Sequence, residues 1–379
     1  MNKCIHYIDR YMQDGGGMTL FADDLAIDEM IITNETDRID TRLKRISLDG
    51  NFVDRKDFLS IAKFENPRVI ILHTLRFIDE ETVKRLRENG HKVVLIVHDY
   101  YSICEKNVLI NNRGQICSGP YDKNCLHCYY DKFNYSVPIT RQIRNVLHPA
   151  LSIVLKRSKW YEKRLEHNLN IMKNLDLVVF PTEKAKTIMM RFVDFPLKTA
   201  VINHFQKKIL CRRDKPEVCE FAFIGHDSHH KGFDLIKKIV KEFKNDEIKI
   251  RLFGNFKKPI KSEHLIYEGT FENRNISAAM RKFDVLLFPS IWPETSGRVL
   301  TESAACGKYV IASNITGASE ILKDYKGLLL FENNNSESLK NAMEKVFIDW
   351  KKMEYPQKPK SFMSVEEYRE AIFKRLEQK

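Results

Sequence analysis

The stretch VLLFPSIWPETSGRVLTESAACGKYVIAS, Val285 to Ser313, decides the fold class. Val285 to Phe288 is an unbroken apolar run stopped by Pro289, and Tyr309 to Ala312 is a second one. Between them a helix is expected to begin around Ser296 or Gly297 and to run through small residues. Apolar runs without polar alternation belong to strands covered on both faces, which a parallel sheet flanked by helices supplies. Outward from this unit the same pattern recurs. Cys4 to Ile8, Val69 to His73, Val93 to His98, Leu177 to Phe180 and Ala200 to Ile202 read as strands in the first half, and Phe221 to Ile224, Ile248 to Phe253 and Leu328 to Phe331 in the second. Helix-length segments separate most of these runs, so the expectation is α/β, with two Rossmann-like parallel-sheet domains facing across a cleft.

The pattern runs twice, interrupted by the charged, aperiodic segment QKKILCRRDKPEV, Gln206 to Val218. We therefore expect an N-terminal domain over 1–205, a linker over 206–218, a C-terminal domain over 219–360 and a terminal segment over 361–379. In that segment Ser364 followed by Glu367 is a capping-box pattern that predicts a helix, one able to pack back on the N-terminal domain. The 379 residues, 43% hydrophobic and 30% charged, exclude a disordered or fibrous chain. No apolar run approaches the roughly 20 residues of a membrane span, and the N-terminus lacks a signal-peptide core, so a cytoplasmic location is expected.

The net charge of +12 points to an anionic partner. Half of it, +6, lies between Arg141 and Lys173, where Lys156, Arg157, Lys159, Lys163 and Arg164 accompany Trp160 and Tyr161. Such a stretch suits an anionic membrane surface at the inner face of the plasma membrane, or is an ordinary solvated helix. No helix-turn-helix, finger or aromatic RNA-binding pattern accompanies the charge, so nucleic acid is not expected.

Eight cysteines in a reducing compartment are not expected to form a disulfide framework. Four cluster as Cys104-x12-Cys117-x7-Cys125-x2-Cys128 in a polar insertion after the strand ending at His98. Four thiolates with one Cys-x-x-Cys pair suit a structural zinc ion, the alternative being thiols in a loop.

Ligands of open parallel sheets bind beyond the carboxyl ends of the strands, where helix N-termini meet anions. The first such loop holds Gly15, Gly16 and Gly17, which admit close approach of a phosphate or sugar or simply mark a turn. The densest constellation is again 289–313. Glu294 and Glu302, with seven residues between them, bracket a helix start, a spacing that can serve two sets of ligand hydroxyls with N–H groups left for a diphosphate, the alternative being two solvated glutamates near a helix start.

These residues resemble the donor motif of the family 4 type of GT-B glycosyltransferases: Pro289-Ser290, Glu294, Gly297, Glu302, Gly307 and Val310 to Ser313. Further matches follow in family order over most of the chain. They are Gly15 to Gly17, Pro181-Thr182-Glu183, Ile224-Gly225, Lys231-Gly232, Phe253-Gly254-Asn255 and Tyr267-Glu268-Gly269-Thr270. The resemblance implies a retaining enzyme that uses a nucleotide diphosphate sugar and no cofactor or metal for catalysis. Glu302 would hold the ribose, Glu294 the donor sugar and Lys231 the diphosphate. The backbone of Thr295, Ser296 and Gly297 would cap the phosphates, and loops including Asn255 and Thr270 would wall the base. The family usually has Arg after the glycine of the first C-domain strand; here His226 stands there, and Arg298 is the candidate substitute. His98 matches a histidine placed near the donor sugar. The acceptor implied is a saccharide or lipid-linked saccharide of bacterial surface polysaccharide synthesis. The rival reading is a non-catalytic glycosyltransferase-like protein that binds glycan or stabilises a partner.

Overall fold

The computed structural model describes residues 3–12, 16–37, 41–49, 51–111, 113–119, 125, 128, 160–209, 211, 214–270 and 276–378. The basic residues between 141 and 159 and Gly15 lie outside them, as does most of the segment from 120 to 159.

The chain divides into two units: 1–180 with 186–201 and 372–379, and 181–185 with 202–371. The first contains β1 (Cys4–Tyr11), α1 (Gly17–Ala26), β2 (Met30–Thr36), β3 (Leu43–Arg45), β4 (Leu48–Asp49), β5 (Phe52–Val53), α2 (Arg55–Glu65), β6 (Val69–Leu72), α3 (Glu80–Glu88), β7 (Lys92–Ile96), α4 (Trp160–Lys173), β8 (Leu177–Phe180), α5 (Glu183–Met190) and β9 (Thr199–Val201), with residues 181–185 of this run grouped with the second unit. Its sheet is parallel throughout, in the order β3-β2-β1-β6-β7-β8-β9, with β4 and β5 as a separate hairpin. The central strands are buried on both faces: Val69 to Leu72 and Leu177 to Phe180 are at most 2% exposed, as their unbroken apolar runs require. Strand β2 (MIITNET) keeps only Ile31, Ile32 and Thr33 buried, and its polar tail hides it from a reading based on apolar runs.

The second unit contains β10 (Phe221–Ile224), α6 (Phe233–Ile239), β11 (Ile250–Phe253), β12 (Leu265–Gly269), α7 (Ile276–Met280), β13 (Val285–Phe288), α8 (Arg298–Ala305), β14 (Tyr309–Ser313), α9 (Ala318–Ile321), β15 (Leu328–Phe331), α10 (Ser336–Asp349) and the first part of α11 (Val365–Glu377). Its sheet is also wholly parallel, in the order β12-β11-β10-β13-β14-β15. In both sheets the order climbs away from one central strand in two directions, so a crevice opens where neighbouring connections depart to opposite sides. In the second unit that point lies between β10 and β13. Between the sheet and one helical layer pack Phe283, Leu286, Leu300, Ala304 and Val310, each fully buried; the small residues of α8 let it sit close.

The capping box at α11 is present in both directions: Ser364 Oγ accepts from Glu367 N–H at 3.2 Å and Glu367 Oε2 accepts from Ser364 N–H at 2.7 Å. Within the first unit the end of this helix is tied down by Arg68, which pairs with Glu377 at 2.8 Å.

The cysteine reading needs one correction. Cys211 and Cys306 form a disulfide, with Cα atoms 5.7 Å apart. Cys306 caps the C-terminus of α8, and Cys211 packs against the same core cluster. Residues 95 apart in sequence give no spacing signal, so this pair could not be anticipated.

Candidate functional site

In the second unit, loops after β10 and β13 meet at the crevice. Gly232 ends a short turn over His229–Lys231 with φ +76, and a Cβ there would stand 1.8 Å from the Pro289 carbonyl oxygen. Only glycine lets the Lys231 turn rest on the strand-end Pro289. As a result Lys231 Nζ lies 2.8 Å from Glu294 Oε1, while Ser290 Oγ donates to Glu294 Oε2 at 2.7 Å. Glu294 is 8% exposed, so its charge needs these partners. The Glu294 backbone is held as well, its carbonyl accepting from Gly317 N–H at 3.2 Å.

Helix α8 starts at Gly297, which has φ +82 and would drive a Cβ to 2.7 Å from the Phe288 ring. Gly297 has no side chain to cap this N-terminus and the first turn holds no acidic residue, so its N–H groups suit an anion. Arg298 at the first helical position pairs with Glu302 one turn on, Nε to Oε1 at 2.7 Å; Glu302 is 4% exposed. The sequence-predicted Lys231, Glu294, Thr295, Ser296, Gly297, Arg298 and Glu302 thus belong to two adjoining loops and one helix start. Among them are two cation–carboxylate pairs, Lys231 with Glu294 and Arg298 with Glu302. A bound diphosphate would compete for the cations and leave the carboxylates to accept from hydroxyls.

Asn255 and Thr270 are exposed at the ends of β11 and β12, loops joined by Gly254 N–H to the Gly269 carbonyl at 2.8 Å. His226 is exposed after β10. Two neighbours escaped the sequence reading. Trp292 sets its ring edge-on to His230 and 5.8 Å from Lys231 Nζ. Burial, and then the Lys231 charge, pull the His230 imidazole down to about 4, so it is neutral near pH 7. Their signals were an aromatic inside the motif and a histidine beside the lysine, neither specific alone.

In the first unit, Gly16 precedes α1, and a Cβ there would meet nothing within 4 Å, so packing does not demand this glycine. Phe21 on α1 lies edge-on to His98, ring centroids 5.0 Å apart. His98 follows β7 and heads a chain of imidazoles. His98 Nε2 is 2.9 Å from His73 Nδ1, and His73 Nε2 is 3.1 Å from His6 Nδ1. His6 Nε2 is 3.2 Å from Glu29 Oε2, whose other oxygen accepts from Cys4 N–H at 2.8 Å. The carboxylate can only accept, so His6 carries hydrogen on Nε2, and with neutral rings the same holds for His73 and then His98. The chain therefore leaves Nδ1 as the acceptor nitrogen of His98. Burial pulls the His98 pKa down to about 3. Beside it Asp99, raised to about 6 by burial, accepts from Tyr101 N–H at 2.7 Å and Asn107 Nδ2 at 3.1 Å. His6 and His73 sit in apolar strand runs, and only the pairing of β1 with β6 brings them together.

Residues 206–360 match the model of the family described as Glycosyl transferases group 1. The match covers less than half of the chain. The chain is also 26% identical over 228 residues to a 41.2 kDa protein in the cps region of Klebsiella pneumoniae, covering 57% of this chain and 58% of that protein. The match thus spans little more than half of that relative's length. Among solved structures, Anabaena Alr3699/HepE in complex with UDP and glucose is similar with a TM-score of 0.64 at 13% identity, covering 100% of both chains. Sucrose-phosphate synthase from Thermosynechococcus elongatus gives 0.62 at 14%, covering 92% of this chain and 90% of that one. These likenesses show the fold: two Rossmann-like domains of the GT-B class. Within the matched residues, the crevice between β10 and β13 holds both cation–carboxylate pairs.

Proposed function

We propose that the protein is a retaining glycosyltransferase that moves a sugar from a nucleoside diphosphate sugar to a saccharide or lipid-linked saccharide acceptor. The observation that carries this reading is the pairing of Lys231 with Glu294 and of Arg298 with Glu302 around the uncapped start of α8. Each role asks something different of these groups. The Lys231 ammonium and the α8 N–H groups stabilise charge that grows on the departing diphosphate, and Arg298 supplies a second cation. Released from Lys231, Glu294 accepts hydrogen bonds from the transferred sugar, and Glu302 accepts from the ribose hydroxyls. His98, neutral and oriented by its imidazole chain, offers Nδ1 to a sugar hydroxyl. No step requires a metal or a second cofactor.

That Anabaena Alr3699/HepE, similar in fold, was solved with UDP and with UDP-glucose makes these two the first probes. Calorimetry should find UDP binding that Glu302→Ala and Lys231→Ala weaken. Failure of UDP, GDP, ADP and their common sugar derivatives to bind would overturn the reading. Binding with no hydrolysis or transfer to any saccharide or lipid-linked saccharide would favour the non-catalytic alternative. Peripheral association through the basic stretch from Arg141 to Lys173 belongs to the same proposal. It should appear as co-sedimentation with anionic vesicles at low salt and release at high salt. Among the described residues, no helix is long and apolar enough to cross a membrane.

A further inference from the structure

Cys104, Cys117, Cys125 and Cys128 come from separate points of the segment that follows β7, yet all four line one cavity of about 30 Å³. None is in a disulfide. The rest of its wall includes Leu109, Leu165, Glu105 and Arg164. This volume admits one ion or water and is too small for a metal–sulfur cluster or an organic ligand.

The backbone is arranged around sulfur. Gly119 N–H donates to Cys117 Sγ at 3.4 Å, two residues on from the cysteine. The backbone of Leu109 and of Lys106 hydrogen-bonds the Cys104 sulfur. Lys106 also lies two residues on, so the two turns share a device. Amide hydrogens aimed at sulfur are contacts that a metal-bound sulfur can keep. Sulfurs bound as thiolates in this cavity would need positive charge, and Arg164 is already matched by Glu105, Nε to Oε2 at 2.7 Å.

We infer that Cys104, Cys117, Cys125 and Cys128 are the four ligands of a structural zinc ion. Four soft sulfurs on one cavity wall suit this ion, and binding by all four would leave no open position for chemistry. The ion would draw the sulfurs to a common centre and fix the loop behind His98 and Asp99. That loop is already knitted by Cys104 N–H to the Tyr100 carbonyl at 2.7 Å and Cys117 N–H to the Leu109 carbonyl at 2.7 Å. The inference does not depend on the transferase reading, since the site touches neither Lys231 nor Glu302.

A second ligand set supplies the control. The ligand atoms of Asp246, Glu263 and His264 lie within 4.8 Å of one another in the other unit. The test is elemental analysis of the full chain grown with zinc and purified with a thiol reductant and no chelator. We expect about one zinc per chain in the parent and in His264→Ala, and background zinc in Cys125→Ser/Cys128→Ser. Should the double variant not fold, cobalt reconstitution of the parent answers instead, through a thiolate charge-transfer band and the intense visible bands of tetrahedral cobalt. Metal-free parent that takes up neither ion, zinc retained by the double variant or lost in His264→Ala, or iron in place of zinc would each overturn the assignment.

Discussion

The two parallel sheets share a strand order and differ in what they place at their crevices. The second unit assembles charge, with Lys231 against Glu294 and Arg298 against Glu302 beside a bare helix start. The first assembles neutrality: His98 is kept uncharged by burial, and its tautomer is passed along from Glu29 through His6 and His73. One topology thus supports two recognition chemistries. Paired ions can be exchanged for a diphosphate, while neutral imidazoles recognise hydroxyls by direction. The difference teaches that the fold supplies a place, and the side chains at the strand ends decide what is bound there.

The strongest way to break this contrast is Lys231→Ala. It removes a phosphate partner and leaves Glu294 without its cation, so UDP affinity should fall by about 2–3 kcal/mol, roughly 30- to 150-fold. Calorimetry on His98→Gln should show UDP affinity unchanged; equal losses in both variants would erase the division of labour. Next, Glu294→Gln should lower kcat by about 100-fold while changing the UDP dissociation constant by less than about threefold, because its partner is the transferred sugar. A parallel fall in UDP affinity would reassign Glu294 to the nucleotide.

A subtler test addresses the imidazole chain. Glu29→Gln replaces an obligate acceptor with a group that can also donate, so the tautomers are no longer dictated. Long-range proton–nitrogen NMR should show His6, His73 and His98 as Nε2–H tautomers in the parent and mixed forms in the variant. The effect on turnover should be only about 1 kcal/mol. Parent tautomers that already alternate would remove the relay.

The smallest effect is a slope. Because the folded His98 pKa is about 3, below the ~6.5 of an unfolded chain, the unfolded state takes up the proton first as pH falls. This contribution to stability is present above pH 6.5 and is lost by about 2 kcal/mol on descending to pH 5. Asp99, raised to about 6, acts with the opposite sign, favouring the folded state at the lower pH and losing that contribution as pH rises through 6. Urea unfolding of His98→Gln against the parent isolates the first effect, and parallel pH curves for the two would show that His98 is not held neutral.

Much of the architecture was legible because buried parallel strands are written as unbroken apolar runs such as VIIL, LVVF and VLLF. One edge strand of each sheet was not, although the opposite edges β9 and β15 were: β12 reads LIYEG and β3 reads LKR, half-exposed and too mixed to stand out. The charged site could be read because its residues fall within two short segments, 231–232 and 289–302. The imidazole chain could not, since residues 6, 29, 73 and 98 meet only through strand pairing. In Arg251 the same limit recurs. It is half-hidden in β11 and joins Glu220 and Glu268, an ion network that no spacing announces.

The link between Cys211 and Cys306 closes a loop of 95 residues that contains both Lys231 and Glu294. In the chain-entropy picture a crosslink of that span restricts the unfolded ensemble by up to about 4.7 kcal/mol. The durability of the second unit is therefore partly a reading of the thiol potential around it. Under strong reductant the same domain should keep its crevice and become easier to unfold, so its abundance in a cell would follow the compartment's redox poise as well as its own packing.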